Sequence, residues 1–323
     1  MVLYEIALIL HIETMKFQGI YILFFVSILL VSCGSKRVDE VPDGFRSEVL
    51  LKTTPVKNQG QSAVGWCYAM LATIETEHLM QGDSVNISPD YLLRCYVRDI
   101  AEQYYKTKGK SELSMRGIGP MVPILLRRYG SLPYDSYYNT NPVNYDVLLR
   151  RVKNLASISM TKKKTTEEFM KDLDGILDHE IGYLPLHVFM LGAEYTPLEF
   201  AHSLCGKEEY QTLTTDENSD YSAQVKLCHN DNAMKCVGRN LPKNSILQYI
   251  KKSISSNHPV MWTDDSQNYD PVAIVGIGRD IHGKEYFVGK NSKGNNNQTK
   301  GMLYIPTKYV REHTAFVVVK RYL

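Results

Sequence analysis

The stretch Gln59–Met70 reads "QGQSAVGWCYAM" and sets the interpretation of the rest of the chain. It joins a polar loop to a segment with helical spacing, in which Met70 and Ile74 share one face and Gly82 ends the helix. Cys67 lies just inside this helix. The chemistry that the chain can perform depends on whether Cys67, or the glycine two residues before it, stands at the functional position.

Composition restricts the classes of function. The chain has 323 residues, of which 44% are hydrophobic, with 37 basic against 35 acidic side chains. These values fit one large domain or two packed lobes. The basic residues are scattered rather than clustered, so the charge pattern gives no support for nucleic-acid binding.

The amino-terminal residues 1–33 are predicted to be a signal peptide, with a possible true start at Met15. The apolar run at 20–31 is about 12 residues long, too short to span a bilayer. The "LVSC" that ends at Cys33 resembles the bacterial lipobox, whose cysteine is lipidated. This implies a bacterial envelope lipoprotein, attached to the outer membrane through Cys33, with residues 34–44 as a polar tether. An ordinary signal peptide is the alternative.

The remaining five cysteines would then lie outside the reducing cytosol. They are Cys67, Cys95, Cys205, Cys228 and Cys236. Their odd number leaves at least one without a partner in the chain. The segment "CHNDNAMKC" has no second ligand cluster beside it, so neither a metal nor another cofactor is predicted.

Helical patterns come first in the chain and strand patterns last, which predicts an α+β protein with two lobes. "NISPDYLLRC" opens a helix with Ser88 as N-cap and Pro89 at the first helical position. Residues from about 145 to 178 are also periodic and helical. Strands are predicted at "HPVMW", "PVAIVGIG", "KEYFVGKN" and "AFVVVKRY". We expect a mainly helical lobe at about 45–140 and a β lobe at about 141–323, with an insertion at about 190–240.

Five motifs in order carry a family resemblance: "PVKNQG", "WCYAMLATIE", "ISPDYLLRC", "RGIGPMVPILLRRYG" and "AIVGIGRD.HGKEYFVGKNSKG". Together they resemble the papain-like cysteine peptidases (C1), and "YTPLEFAHSL" is closest to the bleomycin hydrolase and aminopeptidase C branch. The resemblance spans roughly residues 45–320. It implies a two-lobe fold with a helical left lobe, an antiparallel β right lobe and a cleft between them.

In that family a glutamine supplies an oxyanion-hole donor, a cysteine six residues later is the nucleophile, and tryptophan follows. The resemblance puts Gln59 at the oxyanion position. The nucleophile position then falls on Gly65, followed by Trp66. A thiol attacks well only as a thiolate, stabilised by a neighbouring imidazolium and a helix N-terminus, and glycine has no thiol.

A slipped register is the alternative, because Gln61 lies six residues before Cys67. The flanking motifs "VKNQG" and "TIE" favour the first register, since they fit it without a gap. At about 100° per residue, Cys67 is rotated by about 200° from Gly65 and points to the opposite side of the helix.

The family's base is also missing in this register. Counting back from the strand-end "VGIG" gives Asp270 where the family has histidine. An aspartate with a pKa of about 3.9 is more than four units below a thiol, equivalent to roughly 6 kcal/mol, and would repel the thiolate. Asn291 keeps the orienting position, but Lys293 replaces the aromatic residue that shields it.

These features predict a catalytically inactive papain-like protein that binds a peptide or protein in the inherited cleft. The resemblance implies that Trp66 and Gly117 of "RGIGP" are groove residues, since Gly117 matches the family's glycine whose bare backbone pairs with an extended substrate. The alternative is an active cysteine peptidase or aminopeptidase that uses Cys67 with a distant histidine, first of all His282. A purely structural envelope protein is a third possibility.

Overall fold

The computed structural model describes residues 40–190, 192–216, 218–227, 236–265, 271–295 and 299–321. The predicted signal peptide with Cys33, most of the tether, Cys228 and Asp270 lie outside these ranges. Among the described residues, no helix combines the length and apolar character that a membrane span requires.

Most helices lie in the first two thirds of the chain. Those in the described part are α1 (Gly65–Gln81), α2 (Pro89–Lys106), α3 (Met121–Tyr129), α4 (Tyr145–Thr161), α5 (Thr166–Glu180), α6 (Pro197–Leu204), α7 (Lys243–Ser255) and α8 (Thr307–Glu312).

The strands concentrate toward the end of the chain. They are β1 (Arg46–Leu50), β2 (Val188–Met190), β3 (Ala193–Tyr195), β4 (Tyr210–Thr214), β5 (Gln224–Lys226), β6 (Val237–Asn240), β7 (Val260–Asp264), β8 (Pro271–Arg279), β9 (Glu285–Lys290), β10 (Met302–Pro306) and β11 (Thr314–Lys320).

One large sheet has the order β10-β9-β8-β7-β11-β4-β6-β5, with β1 added beside β8. All its neighbours are antiparallel except β4 and β6. β2 and β3 form a separate hairpin. The predicted strands correspond to β7, β8, β9 and β11, which are four neighbouring strands of the large sheet. The sequence pattern misses its other strands, β1, β4, β5, β6 and β10.

Local signals explain where the helices begin and end. Ser88 accepts a hydrogen bond from the Tyr91 amide at 3.2 Å and caps α2, as predicted. Gly82 ends α1 with a φ of 95°, a left-handed conformation that glycine adopts without strain. The predicted helical stretch after residue 145 divides into α4 and α5, because Thr165 and Glu168 form a capping box that starts α5.

Helix α1 lies between two hydrophobic cores and is buried from Gly65 to Glu77. Its Met70 belongs to the helical core, and its Ala72 belongs to the core on the sheet. Met261 of β7 also enters the helical core, where its sulfur lies 1.9 Å from the ideal position of a β-carbon on Gly119. Gly119 therefore leaves the space through which the sheet packs against the helices.

The helical core continues well past the boundary predicted near residue 140. It includes Val152 of α4, Leu173 of α5 and Phe200 of α6, because α4 and α5 pack on α2 and α6 packs on α3. The segment predicted as an insertion is also partly integrated, since β4 and β6 belong to the large sheet. Their short, polar sequences gave no clear strand pattern.

A buried ionic cluster fixes α1 to both sides of the fold. The Glu75 carboxylate accepts hydrogen bonds from Lys57, from the Thr54 hydroxyl at 2.5 Å and from the Ile87 amide at 2.7 Å. Lys290 of β9 donates to Thr54 at 2.7 Å. Burial lowers the pKa of Lys290 to about 8, although the negative charge of Glu75 opposes this shift.

We expect Glu75→Ala to lower the free energy of unfolding by about 3–5 kcal/mol, because Lys57, with a side chain only 11% exposed, would lose its carboxylate partner and the buried Lys290 would lose the nearby negative charge. Glu102→Ala is the matched control, since Glu102 forms a half-exposed i,i+4 pair with Lys106 at 2.6 Å. It should cost less than about 1 kcal/mol. Urea unfolding followed by far-UV circular dichroism measures both values, and equal losses would contradict the structural role of the cluster.

Candidate functional site

Three segments of the chain meet at the amino end of α1. They are the loop that carries Gln59, the start of β8, and the turn that follows β9. A β-carbon on Gly65 would lie 2.8 Å from Oε1 of Gln59 and 3.4 Å from Cγ of Pro271. Position 65 therefore faces the glutamine and the first residue of β8, which follows Asp270 in the chain.

The Gln59 side chain is held at both ends of its amide. Its Nε2 donates to the Ser62 carbonyl at 3.0 Å, and its Oε1 accepts a hydrogen bond from the Ser292 hydroxyl. The Gln59 backbone amide also donates to the Ser292 carbonyl at 2.7 Å. A glutamine engaged in this way is poorly placed to donate to a ligand unless one of these bonds breaks.

The turn after β9 makes the second wall of the site. Asn291 is partly buried, and its Oδ1 accepts a hydrogen bond from the Lys293 amide at 3.0 Å. The backbone amide of Asn291 donates to the Gly301 carbonyl at 3.0 Å. The Asn291 side chain thus stabilises its own turn, and Lys293 pairs through its backbone with Asn58 beside Gln59.

Cys67 lies on the opposite side of α1 from this site. Its side chain is fully buried and belongs to the helical core. Burial, with a smaller contribution from the negative charge of Asp90, raises the pKa of the Cys67 thiol well above its usual value. The thiol is therefore neutral near pH 7, and the rotation of about 200° expected from helix geometry agrees with its position.

The residues of the slipped register do not meet in the structure. Gln61 is exposed on its loop, whereas Cys67 is buried in the core. His282 lies in the exposed turn after β8, where its amide donates to Asp280 at 2.9 Å. Another histidine distant in sequence, His258, is already paired with the Glu77 carboxylate at 2.9 Å.

Trp66 and Gly117 are in contact, but not as two residues of an open groove. The sequence pattern predicts Trp66 as a groove residue, whereas the structure places its ring in the helical core with 4% exposure. Its Nε1 donates to the Met115 carbonyl at 2.9 Å, and a β-carbon on Gly117 would lie 2.5 Å from the ring. The Trp66 ring therefore packs directly against the partly exposed backbone at Gly117.

Sequence reasoning missed two serines of the site. Ser292 binds Gln59, and Ser62 accepts the Gln59 amide through its carbonyl and the Tyr145 amide, at 3.1 Å, through its hydroxyl. The signal was present in their positions beside Asn291 and between Gln59 and Gly65. A serine in a polar loop, however, indicates no particular partner by itself.

The possible metal ligands of the described residues are not grouped into a site. In the described part of the chain, no three His, Cys, Asp or Glu side chains are grouped closely enough to hold a metal ion. The segment "CHNDNAMKC" lies largely outside the described residues.

Comparison with known proteins identifies the fold. No family model and no curated protein matches the sequence. Among solved structures, PepW from Lactobacillus rhamnosis matches with a TM-score of 0.64 at 15% identity, over 85% of this chain and 82% of that chain.

Two further structures match with lower scores. Xylellain, a cysteine protease from Xylella fastidiosa, gives a TM-score of 0.42 at 14% identity over 87% of this chain and 90% of its own. Bromelain from Ananas comosus gives 0.41 at 14% identity over 83% and 93%. The structural neighbours are papain-like cysteine peptidases. The similarity to PepW confirms the fold predicted from the sequence motifs: the chain has the α+β, two-lobe papain-like architecture.

Proposed function

We propose that this protein is a catalytically inactive papain-like protein that binds a peptide or protein partner in its inherited cleft. The observation that supports this most strongly is that Gly65, not a cysteine, faces Gln59 and Pro271 at the amino end of α1. The nearest cysteine along the helix, Cys67, is buried in the core on the other side.

The chemistry supports the same proposal. Thiol catalysis needs a thiolate and a base that can hold its proton, and the family register supplies glycine and Asp270 at these two positions. Removing one member of such a unit can cost on the order of a millionfold in rate, and removing both costs little more. Peptide turnover by this site would be negligible.

Binding requires less than catalysis. An extended peptide can pair with a bare backbone segment and place alternate side chains in neighbouring pockets. The partly exposed backbone at Gly117, supported by the Trp66 ring, is suited to this role. The partner would therefore be an extended segment of a polypeptide, and nothing in the charge pattern calls for a nucleic acid.

The alternative function is an active cysteine peptidase that uses Cys67. The exposed Gln61, six residues upstream, is the feature that favours it. For this reaction the thiol would have to leave the core and meet an imidazole at hydrogen-bonding distance. The burial of Cys67 weighs against this alternative, and the first test below separates the two functions.

We also propose that the protein is a lipoprotein of the bacterial cell envelope, attached to the outer membrane through Cys33. The support is the sequence: the short apolar run followed by "LVSC". A protein held at a surface by lipid and carrying a groove without catalysis would act as a binding or scaffolding component there.

The first prediction concerns the thiol. The purified protein should hydrolyse neither peptide nor aminopeptidase substrates, and iodoacetamide should leave Cys67 unmodified in the folded state. An ordinary thiol, with a pKa of about 8.5, reacts much faster at about pH 9 than at pH 7. The raised pKa of Cys67 keeps it neutral over this range, so no such increase is expected. Mass spectrometry of the Cys67 peptide measures this.

The urea-unfolded chain is the control for that experiment, and its Cys67 should react fully. Turnover in the wild type that disappears in Cys67→Ala would contradict the proposed inactivity and establish the peptidase alternative.

The second prediction tests the register. In the double variant Gly65→Cys with Asp270→His, a new thiol stands beside Gln59 with a histidine at the base position. We expect an epoxide inhibitor of cysteine peptidases to label Cys at position 65 in this variant, but not in Gly65→Cys alone, because the carboxylate gives the thiol no base. A folded double variant that remains unlabelled would contradict the alignment of Gly65 with the nucleophile.

The third prediction tests the groove. A β-carbon on Gly117 would collide with the Trp66 ring, so Gly117→Ala should displace the segment that pairs with a peptide. Retention of members of a heptapeptide library on the immobilised protein should fall about tenfold, equivalent to roughly 1.4 kcal/mol of lost main-chain pairing. Quantitative mass spectrometry of the retained peptides measures it.

Gly175→Ala is the matched control for the groove test, because a β-carbon at this helical position would meet no atom within 4 Å beyond its chain neighbours and the backbone of its own helix. It should leave retention unchanged. Equal retention by the wild type and Gly117→Ala would place the binding surface elsewhere or refute it.

A further inference from the structure

The loop at residues 40–45 and the turn at residues 280–284 together form one surface, here called the amino-terminal face. The Ile281 amide donates to the Asp43 carbonyl at 3.1 Å. A β-carbon on Gly44 would lie 1.9 Å from Cγ2 of Ile281, so the isoleucine covers the glycine directly. Val41 is 54% exposed and Ile281 is 60% exposed. Two branched apolar side chains thus face outward on this surface.

The chain length upstream limits how far this face can be from a lipid on Cys33. Six residues lie between Cys33 and Glu40, the first described residue, and the seven Cα–Cα steps of this segment span at most about 25 Å even when fully extended. A domain of this size has a radius of gyration of about 19 Å and is wider than that segment is long. An anchor at Cys33 would therefore hold the amino-terminal face, rather than the far side of the domain, next to the bilayer.

Arg279, at the edge of this face, and Asp280 within it are both bonded inside the protein. Arg279 contacts Glu48 at 2.7 Å and Glu285 at 3.0 Å. The Asp280 carboxylate accepts hydrogen bonds from the amides of His282 and Lys284, both at 2.9 Å. Contact with lipid headgroups would therefore not strand these charged groups without partners, while Val41 and Ile281 could enter the interfacial region.

Strand β8 relates this face to the cleft. It begins at Pro271, in contact with the Gly65 position, and ends at Arg279, which pairs with Arg46 of β1. Nine residues of strand span about 26 Å. The turn with Ile281 continues beyond the end of β8, so the cleft and the amino-terminal face lie at opposite ends of the strand.

We propose that the amino-terminal face rests on the membrane and that the cleft opens on the side away from the bilayer. This orientation rests on the lipid anchor proposed for Cys33. It makes the cleft accessible to a soluble polypeptide in the adjoining compartment, and it keeps the cleft from receiving a segment that lies within the membrane.

The test uses the full chain, extracted from membranes and reconstituted into phosphatidylethanolamine and phosphatidylglycerol vesicles with brominated acyl chains. Both native tryptophans are buried, Trp66 with 4% exposure and Trp262 with none, so a new surface tryptophan adds a distinct signal. Ile281→Trp reports on the amino-terminal face, and Gln61→Trp on the cleft loop. Ile158→Trp is the matched control, because Ile158 is 53% exposed on α4.

We expect the brominated acyl chains to quench the fluorescence that Ile281→Trp adds. The fluorescence of Gln61→Trp and Ile158→Trp should be the same in brominated and unbrominated vesicles. Mass spectrometry of the amino-terminal peptide reports in parallel whether Cys33 carries lipid. A chain without lipid would overturn both the anchor and the orientation. A lipidated chain in which position 281 is not quenched, or position 61 is quenched equally, would overturn the orientation alone and leave the anchor standing.

Discussion

The contact between the amino end of α1 and the Gln59 loop governs what this fold can do. Helix α1 is buried from Gly65 to Glu77 between two cores, so it has no freedom to rotate and present another residue at its tip. The residue that meets Gln59 is therefore determined by the packing of the whole helix. In this chain that residue is Gly65, and the thiol of Cys67, two positions later, is buried in the core.

The surroundings of Gly65 fit the inactive site that we propose. The first atoms of a side chain at position 65 would crowd Oε1 of Gln59. Ser62 and Ser292 hold the Gln59 side-chain amide in this position through hydrogen bonds. Each of these bonds satisfies a polar group that is largely buried. A ligand in the cleft would thus meet a fixed, internally bonded wall, which suits recognition of shape better than stabilisation of a developing charge.

Much of this fold could be predicted because its signals are local or lie in ordered motifs. The Ser88 cap, the Gly82 terminus and the strand of "PVAIVGIG" each specify an element within a few residues. The lobe boundary could not be predicted, because the packing of α4 and α5 on α2 depends on contacts distant in sequence. The burial of Trp66 and the hydrogen bond from Ser292 to Gln59 were missed for the same reason. The residue type alone does not indicate whether a side chain faces the core or the groove, or which group it will bond to.

Two buried carboxylates tie α1 to the rest of the fold at a distance from the nucleophile and base positions. Glu75 binds Lys57 and Thr54, and Glu77 lies between His258 and Lys320, so nearly opposite faces of α1 are tied to different parts of the sheet and its loops. Burial would raise the pKa of Glu77, but hydrogen bonds from Lys320 and His258 lower it below its usual value, which keeps the carboxylate charged. These ties are independent of the nucleophile and base positions. Glycine and aspartate at those positions, as the proposed function has them, would therefore leave the walls of the groove in place, and a groove that is already ordered binds an extended chain at a lower entropic cost.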